Sequence, residues 1–505
     1  MNLDTKNLPP EVAAYIRSLE QKNQQLEKQL VKLQSLNEQL VKMRKRMFGQ
    51  SSEQIQYVDA RQLDLFNEAE VCSDASAPEP GKTTPVKAHA RNAKRTKEEL
   101  TEGLEHKKVV CELPEQERIC AKCGSAMVRI GEKFVRSELV IVPAQVYMVD
   151  YYAASYKCAH CEAQTGESYI RQAQAPVPVM KKSMAAPSTV AYVMQEKFQN
   201  GVPLYRQEAY WKGQGVELRR NTMANWVIRS ARWFRPLYEL LRKELLRQDI
   251  VNVDETRVHV LKEDGRESRQ MSQMWVFCSA EKKIALYQYS PSRSGRVARE
   301  MLQGFSGYTQ TDGYSGYHCL DPVTHVGCWA HARRKWVDCF VDGKPVQGSR
   351  SEAAFGLIEE MFALEQAWKD ESPQARFDLR QQKLRPLLEQ YWALLDSFEA
   401  AEGTALSKAK NYSLNQKDAL NAVLLDGRLE LTNNLAERTV KPFVMARKNF
   451  LFCDTAKGAD ASALCFSVME TAKRNGLNPF GYLLFLLQEL PKLGENPTDE
   501  QLFPL

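Results

Sequence analysis

Between residues 248 and 336 the chain passes through short apolar runs whose order leaves few ways to fold. Asp249-Ile-Val-Asn-Val-Asp254 is an apolar run ending on an acid, and Glu-Thr-Arg-Val-His-Val-Leu follows it. Met274-Trp-Val-Phe-Cys-Ser and Ile284-Ala-Leu-Tyr-Gln-Tyr are two further strand-like runs, the pattern of an antiparallel meander. Ser294 to Leu302 has helical spacing. Gly307-Tyr-Thr-Gln-Thr-Asp312 then puts a second acid at the end of a fourth strand. Val326-Gly-Cys-Trp329 can form a fifth, leading into the basic helix Ala330-His-Ala-Arg-Arg-Lys-Trp336.

Three strands, a helix, a strand and then a strand or helix, with acids on the first and fourth strands, is the ribonuclease H-like order. Those two strands are neighbours in that fold, so Asp254 and Asp312 can converge although 58 positions separate them. Paired carboxylates of this kind clamp divalent cations, which neutralise a phosphodiester and activate its attacker. Magnesium (or manganese) suits the task because it takes hard oxygen ligands and keeps several waters. The chemistry calls for a third acid, and Glu437 in Leu431-Thr-Asn-Asn-Leu-Ala-Glu-Arg-Thr-Val-Lys441 is the candidate. Thr432 can cap that helix, and Asn434, Glu437 and Lys441 then share one face. Arg438, Arg447 and Lys448 add positive charge, although the same pattern also describes a solvent-exposed ion-pair helix.

The N-terminal region reads differently. Leu19, Leu26, Leu33 and Leu40 recur every seven residues, with Ile16, Asn23, Leu30 and Asn37 at the other seam position. Leucine at d with asparagine at a is the pattern of a parallel two-stranded coiled coil; a solitary amphipathic helix is the alternative. Lys42-Met-Arg-Lys-Arg46 ends this helix and reads equally as a phosphate grip or as a solvated face near a helix C-terminus. From Val71 to Leu100 an Ala/Pro/Ser/Lys/Thr-rich stretch without apolar period is a flexible basic linker.

Cys120-Ala-Lys-Cys123 and, after 34 intervening residues, Cys158-Ala-His-Cys161 have the spacing of one tetrahedral zinc on four thiolates. The strand-like runs between them give a zinc-ribbon reading, and a closed set of four ligands makes this zinc structural. Residues 202 to 232 look like two helices around Gly213-Gln-Gly215, with Arg219 and Arg220 ahead of Thr222 as an N-cap and Asn225 on the second helix. A helix-turn-helix and an ordinary helical hairpin both fit.

Twelve cysteines in a chain with no apolar leader argue for thiols and metal ligands. No run approaches the ~18–20 apolar residues of a spanning helix, so the expectation is a cytoplasmic protein without a membrane partner. Hydrophobic residues at 43% allow real cores, and 505 residues call for several domains. A net charge of +6 points only weakly to a polyanion.

Taken in order, Met47-Phe-Gly, the paired C-x2-C, Asn221-Thr-Met-Ala-Asn-Trp, Val253-Asp-Glu-Thr, Thr311-Asp-Gly-Tyr, Gly327-Cys-Trp-Ala-His-Ala-Arg-Arg, Asn433-Asn-Leu-Ala-Glu-Arg, Arg447-Lys-Asn-Phe-Leu-Phe and Glu470-Thr-Ala-Lys-Arg-Asn-Gly-Leu-Asn-Pro are a specific combination. On these motifs the chain resembles, over nearly its whole length, the DDE transposases of the insertion-sequence-sixty-six family. The resemblance implies that Asp254, Asp312 and Glu437 form a catalytic triad, and that a helical insertion separates the second and third acids. It also implies DNA as partner (transposon ends and target), and companion proteins of the same element. Cys328 and His331 form a C-x2-H pair, which with Asn434 is expected to support the active site. DNA contacts are expected from Arg219, Arg220, Thr222, Asn225, Arg333, Arg334, Arg438, Lys441, Arg447 and Lys448.

The expected organisation is multidomain, mixing α+β and α/β parts. It comprises a coiled coil over 10–48 that makes a homodimer or higher oligomer, a basic linker over 49–105, a zinc ribbon over 106–175 and a helix-turn-helix region over 176–247. A ribonuclease H-like domain spans 248–343 and 423–475, an all-helical insertion 344–422 and a C-terminal helical tail 476–505. A non-catalytic, zinc-containing dimeric DNA-binding regulator explains the first half as well, but not the placed acids. A nuclease that cuts without joining stays open.

Overall fold

The computed structural model describes residues 146–157 and 170–505, and Ser18 and Lys22 besides. The expected coiled coil and linker, and the cysteines Cys120, Cys123, Cys158 and Cys161, lie outside the described residues. In the segment read as a ribbon, β1 (Ser155–Lys157) pairs antiparallel with β2 (Ile170–Gln172).

Four helices follow, α1 (Pro187–Phe198), α2 (Leu204–Gly213), α3 (Arg220–Ala231) and α4 (Arg235–Leu246). Proline in the first turn opens α1 and α4, where the missing N–H has no intrahelical partner to lose. The second helix starts earlier than its sequence suggested. Arg219 is the N-cap residue of α3, and the Thr222 amide already donates to the Arg219 carbonyl at 2.9 Å. Thr222 therefore sits inside the first turn and caps nothing. The exposed stripe of α3 is Asn221, Asn225 and Arg229, spaced by four, with Met223, Trp226 and Val227 buried opposite.

Strands β3 (Ile250–Lys262), β4 (Met271–Cys278) and β5 (Ala285–Ser290), helix α5 (Arg296–Met301), and strands β6 (Tyr308–Gln310) and β7 (Thr324–Val326) follow in that order. They build a mixed sheet ordered β5-β4-β3-β6-β7, antiparallel through the meander and parallel from β3 to β7. Asp254 does not end its strand. β3 runs on for eight more residues because β4 pairs with it from Asn252↔Cys278 to His259↔Met271, and a later strand takes over beyond. The fifth strand is also displaced from the expected 326–329. Gly327 leaves the ladder, its amide donating to the Ala419 carbonyl at 2.8 Å, and Cys328 becomes the N-cap residue of α6 (Trp329–Val337).

Helices α7 (Arg350–Ala367), α8 (Pro373–Leu379), α9 (Arg385–Asp396), α10 (Ala405–Asn415) and α11 (Lys417–Asn421) form the expected helical insertion. They close a second core on α6 around Trp329, Trp336, Tyr391 and Leu395. The buried polar ends are satisfied: Trp336 Nε1 donates to Tyr391 Oη at 2.8 Å, and Trp329 Nε1 to the Leu420 carbonyl at 3.0 Å. A π-helical turn, Arg380–Leu384, joins α8 to α9 and carries the fully buried Arg380.

The chain returns to the main core through α12 (Asn434–Phe450), β8 (Cys453–Thr455), α13 (Ala456–Arg474), α14 (Pro479–Leu493) and α15 (Asp499–Leu502). β8 pairs with the far end of β3, at Val260↔Cys453 and Lys262↔Thr455. α13 covers the outer edge of β5, where Ser467 Oγ accepts from the Tyr287 amide at 2.8 Å and Thr471 Oγ1 from the Ala285 amide at 3.1 Å. That arrangement satisfies the edge strand without another strand. Leu483, Leu486, Leu487 and Leu490 of α14 are buried in the same core as α1, α3, α4 and the sheet. The segment read as a C-terminal tail and the helices read as a separate DNA-binding region are thus built into one body with the sheet. Among the described residues no helix is long and apolar enough to cross a membrane.

Candidate active site

The register of β3 against β6 brings the two aspartates level. Asn252 is paired with Gln310, and Asp254 and Asp312 each lie two residues further on. Because side chains alternate along a strand, Asp254 points to the same side of β3 as Asn252, and Asp312 follows two residues after the end of β6, near enough for its charge to act on Asp254. The side-chain amides of Asn252 and Gln310 form a ladder beneath the acids. Asn252 Nδ2 donates to Gln310 Oε1 at 3.3 Å and to Asn433 Oδ1 at 3.0 Å. Asn433 Nδ2 in turn donates to the Val253 carbonyl at 2.7 Å, and its backbone N–H to Cys328 Sγ at 3.3 Å.

Asn433 therefore locks the start of α12 onto β3 and onto the start of α6. It is 1% exposed and is the N-cap residue of α12, whereas Asn434 is exposed and Thr432 caps nothing. The supporting amide is Asn433, one position before the residue the sequence suggested. Glu437 sits in the first turn of α12, where the helix dipole favours a carboxylate.

Asp254 feels this assembly. Burial first, then the charges of Glu255, Asp312 and Glu437, push its carboxyl up to about 8, although the Glu255 amide donates to Asp254 Oδ1 at 2.9 Å. Asp312 Oδ1 accepts from the Tyr314 amide at 2.9 Å, and Gly313 between them has no room for a side chain, since a Cβ there would meet the Tyr412 ring at 2.6 Å. Glu255, on the opposite side of β3, is a fourth acid the sequence did not single out. Its side chain is 2% exposed and held by Arg293 and by the Tyr317 hydroxyl. Burial raises its pKa while Tyr317 and Arg293 oppose the rise. Arg293 stacks 3.9 Å from the Tyr314 ring centroid, and Tyr314 Oη donates to the Arg293 carbonyl at 2.8 Å, tying the loop after β5 to the one that carries Asp312.

Cys328, His331 and Glu437 meet at the other end of the site. Their ligand atoms lie within 4.8 Å of one another, with His331 Nδ1 3.9 Å from Glu437 Oε1. Both of those atoms are buried without a hydrogen-bond partner among the described residues. Burial first, then Arg334, lowers the His331 pKa against the opposing pull of Glu437 and Asp312. The half-buried carboxylates of Asp254, Asp312 and Glu437, with an orphaned Glu437 oxygen beside His331 and Cys328, are a donor set that fits divalent cations.

The expected DNA-contacting residues divide. Arg333 is taken by Glu359 of α7 and stacks on Phe355, whereas Arg334 beside it is exposed. Arg447 donates to Thr256 Oγ1 at 3.2 Å, on the strand that carries Asp254, and burial lowers its pKa. Arg438 and Lys448 are exposed and Lys441 is half-buried. Arg219, paired with Glu217 at 3.5 Å, Arg220 and Asn225 lie exposed on or just before α3, away from the acids in sequence and on a different element. Asn252, Gln310 and Asn433 were missed, although polar amides inside otherwise apolar strands were a visible signal. Arg293, Tyr317 and Tyr412 had none, because their roles arise only on folding, and Tyr314 stood only as the last residue of the Thr311-Asp-Gly-Tyr motif.

The family model described as "Transposase IS66 family" matches residues 182–461. A model described as "zinc-finger binding domain of transposase IS66" matches 117–162, and one described as "Transposase C of IS166 homeodomain" matches 35–109. The chain belongs to the IS66 family of transposases. Its match to the zinc-finger model supports a structural zinc over the segment that holds Cys120, Cys123, Cys158 and Cys161. Among curated proteins it is similar to three from Sinorhizobium fredii. Uncharacterized protein y4jD is 31% identical over 476 residues, covering 90% of this chain and 91% of that one. Uncharacterized protein y4hP is 25% identical over 491 residues, covering 90% and 86%. Uncharacterized protein y4qI is 28% identical over 416 residues, covering 78% and 74%.

Proposed function

We propose that this protein is the catalytic transposase of an insertion sequence, with Asp254, Asp312 and Glu437 as the acids of a ribonuclease H-like DDE site. The observation that supports the reading is the β3–β6 register ending at Asn252↔Gln310, two residues before each aspartate, together with the start of α12 held against β3 by Asn433. The sheet order, with the meander on one side of β3 and two parallel strands on the other, supports the ribonuclease H-like assignment.

Asp254, Asp312 and Glu437 would hold Mg2+ or Mn2+. Bound there, the metal supplies charge neutralisation at the phosphodiester and activation of the attacking oxygen. The chain's own groups do the rest. Glu255 keeps the β3 acid in place through Arg293 and Tyr317, Asn433 fixes α12, and Arg447 and Lys441 set positive charge on the face where phosphates run. Cleavage by water at the transposon end leaves a 3′-hydroxyl, and that hydroxyl attacks target DNA in line, expelling a target 3′-oxygen. No covalent protein–DNA link is needed.

Recognition of the transposon ends is assigned to α2 and α3, through Arg219, Arg220, Thr222 and Asn225, with the four-cysteine zinc ribbon and the basic linker alongside. The N-terminal heptads make a homodimer or higher oligomer, and companion proteins of the element assist in a cytoplasmic reaction. The domain division read from the sequence is kept as the functional division of labour, within the shared core of the described residues.

The test is nicking of labelled transposon-end DNA by purified protein in Mg2+ or Mn2+, with Asp254→Asn beside it. Metal-dependent cleavage that disappears in the variant is expected. Equal nicking by both proteins would remove the triad assignment.

A further inference from the structure

His331 is the residue whose surroundings the triad does not explain. It lies in the first turn of α6, three residues past the N-cap residue Cys328, and its Nδ1 stands 3.9 Å from Glu437 Oε1. That distance is too long for a hydrogen bond and too short to admit an independent molecule between two satisfied groups. Neither atom is satisfied: Nδ1 and Oε1 are both buried and unpartnered among the described residues. An imidazole nitrogen and a carboxylate oxygen, both without a partner and facing one small gap, are placed to share a cation.

The backbone holds the convergence in place. Cys328, the N-cap residue of α6, accepts the Asn433 amide at 3.3 Å, so the first turns of α6 and α12 are clamped to each other. Glu437 is four residues beyond Asn433 and His331 three beyond Cys328, so each residue of the gap stands one turn past a clamp point. The same arrangement puts the Cys328 thiol among the ligand atoms that lie within 4.8 Å.

We infer that His331 Nδ1 is a direct ligand of the divalent cation bound by Glu437, which gives one of the two metals of the site a nitrogen donor. This rests on the acidic-triad reading and extends it. An imidazole donor favours transition-metal ions over magnesium, whose preference is for oxygen. The site therefore selects Mn2+ over Mg2+ at the Glu437 position, with His331 as the selecting residue.

The experiment uses the full-length protein with its zinc finger loaded with Zn2+ and one equivalent of Mn2+ added. Pulsed electron paramagnetic resonance of the bound Mn2+ is expected to show 14N modulation from a coordinated imidazole. His331→Gln is expected to abolish that modulation and to weaken Mn2+ binding ~10-fold, with Mg2+ binding changed less than about two-fold. The wild-type spectrum stands even where the substitution disturbs α6. Bound Mn2+ without 14N modulation in the wild type, or a modulation unchanged in His331→Gln, overturns the inference. Asp254→Asn and Glu437→Gln separate the two levels of argument. Loss of Mn2+ in those variants, with His331→Gln unaffected, removes the nitrogen ligand and leaves the triad standing. Mn2+ binding unchanged in all three variants removes both.

Discussion

Asp254 is withdrawn from water beside three other carboxylates, and its value near 8 in the absence of metal reflects burial first and those neighbours second. In the unfolded chain the same carboxyl titrates near 3.9. The folded value is the higher one, so the neutral carboxyl contributes stability that is fully present below about pH 4 and is lost as pH rises through 8. The metal-stripped protein is thus expected to lose several degrees of Tm between pH 6 and pH 9, and Asp254→Asn to flatten that decline. Added Mg2+ should reverse the ranking, stabilising the wild type and not the variant, because a ligand of the folded state alone raises Tm. Differential scanning calorimetry across pH, with and without chelator, reads both. A wild-type Tm flat from pH 6 to 9 in chelator would show that the four acids do not share one buried site. The sequence singled out Asp254 and Asp312 because an apolar run closing on an acid is a local signal, although β3 runs eight residues past Asp254 and β6 stops two before Asp312. It misplaced the supporting amide by one residue, since whether Asn433 or Asn434 turns inward depends on Val253 and Cys328, which lie 180 and 105 positions away.

At the scale of elements, the insertion between the second and third acids is more than a spacer. Tyr412 of α10 packs where Gly313 has no side chain, next to Asp312, and the Ala419 carbonyl takes the Gly327 amide. What keeps these helices in register is Arg380. Its guanidinium is 0% exposed, binds both oxygens of Glu365 at 2.6 and 2.9 Å, and donates to the carbonyls of Val423, Asp426 and Leu429. Without Arg380, Glu365 keeps only Arg376, at 2.9 Å, and the three carbonyls lose a buried charged donor; loss of a buried charged partner costs about 3–5 kcal/mol. Arg380→Ala is therefore expected to lower the denaturant midpoint strongly, while Arg385→Ala, an exposed change five residues on, leaves it nearly unmoved. Equal small shifts in urea melts of both variants would mean that the arginine is not the keystone of this second core. The family resemblance is what implied a helical insertion here. It said nothing of the π-helical turn or of three carbonyls converging on one arginine, because those depend on where α8 and α9 meet the 422–429 segment.

On the scale of the whole molecule, the helices read as a DNA-binding region and the acid-bearing sheet share one hydrophobic core, in which α3, α13 and the meander pack together. The sequence suggested separate regions because helical spacing gives way to strand-like runs near residue 248, yet apolar residues on both sides of that point are buried in common. Sharing a core fixes the geometry between an exposed α3 stripe and the acids, and it lets recognition and chemistry reside in different side chains. The two can therefore be separated by substitution. Arg220→Ala is expected to weaken end binding uniformly across sequences and to lower the salt slope of log Kd by about 1, as for a phosphate contact. Asn225→Ala should weaken binding to transposon ends by about 1–3 kcal/mol and binding to unrelated DNA far less, as for a base contact. Glu437→Gln should leave both affinities near wild type and abolish cleavage. Fluorescence anisotropy with end and scrambled duplexes, over a salt series, distinguishes the three. If Asn225→Ala weakened both duplexes alike, α3 would be a backbone-positioning element and sequence readout would have to lie elsewhere in the chain. If Glu437→Gln weakened binding as much as Arg220→Ala, the acids and α3 would serve a single footprint, and the division between reading and cutting would not hold.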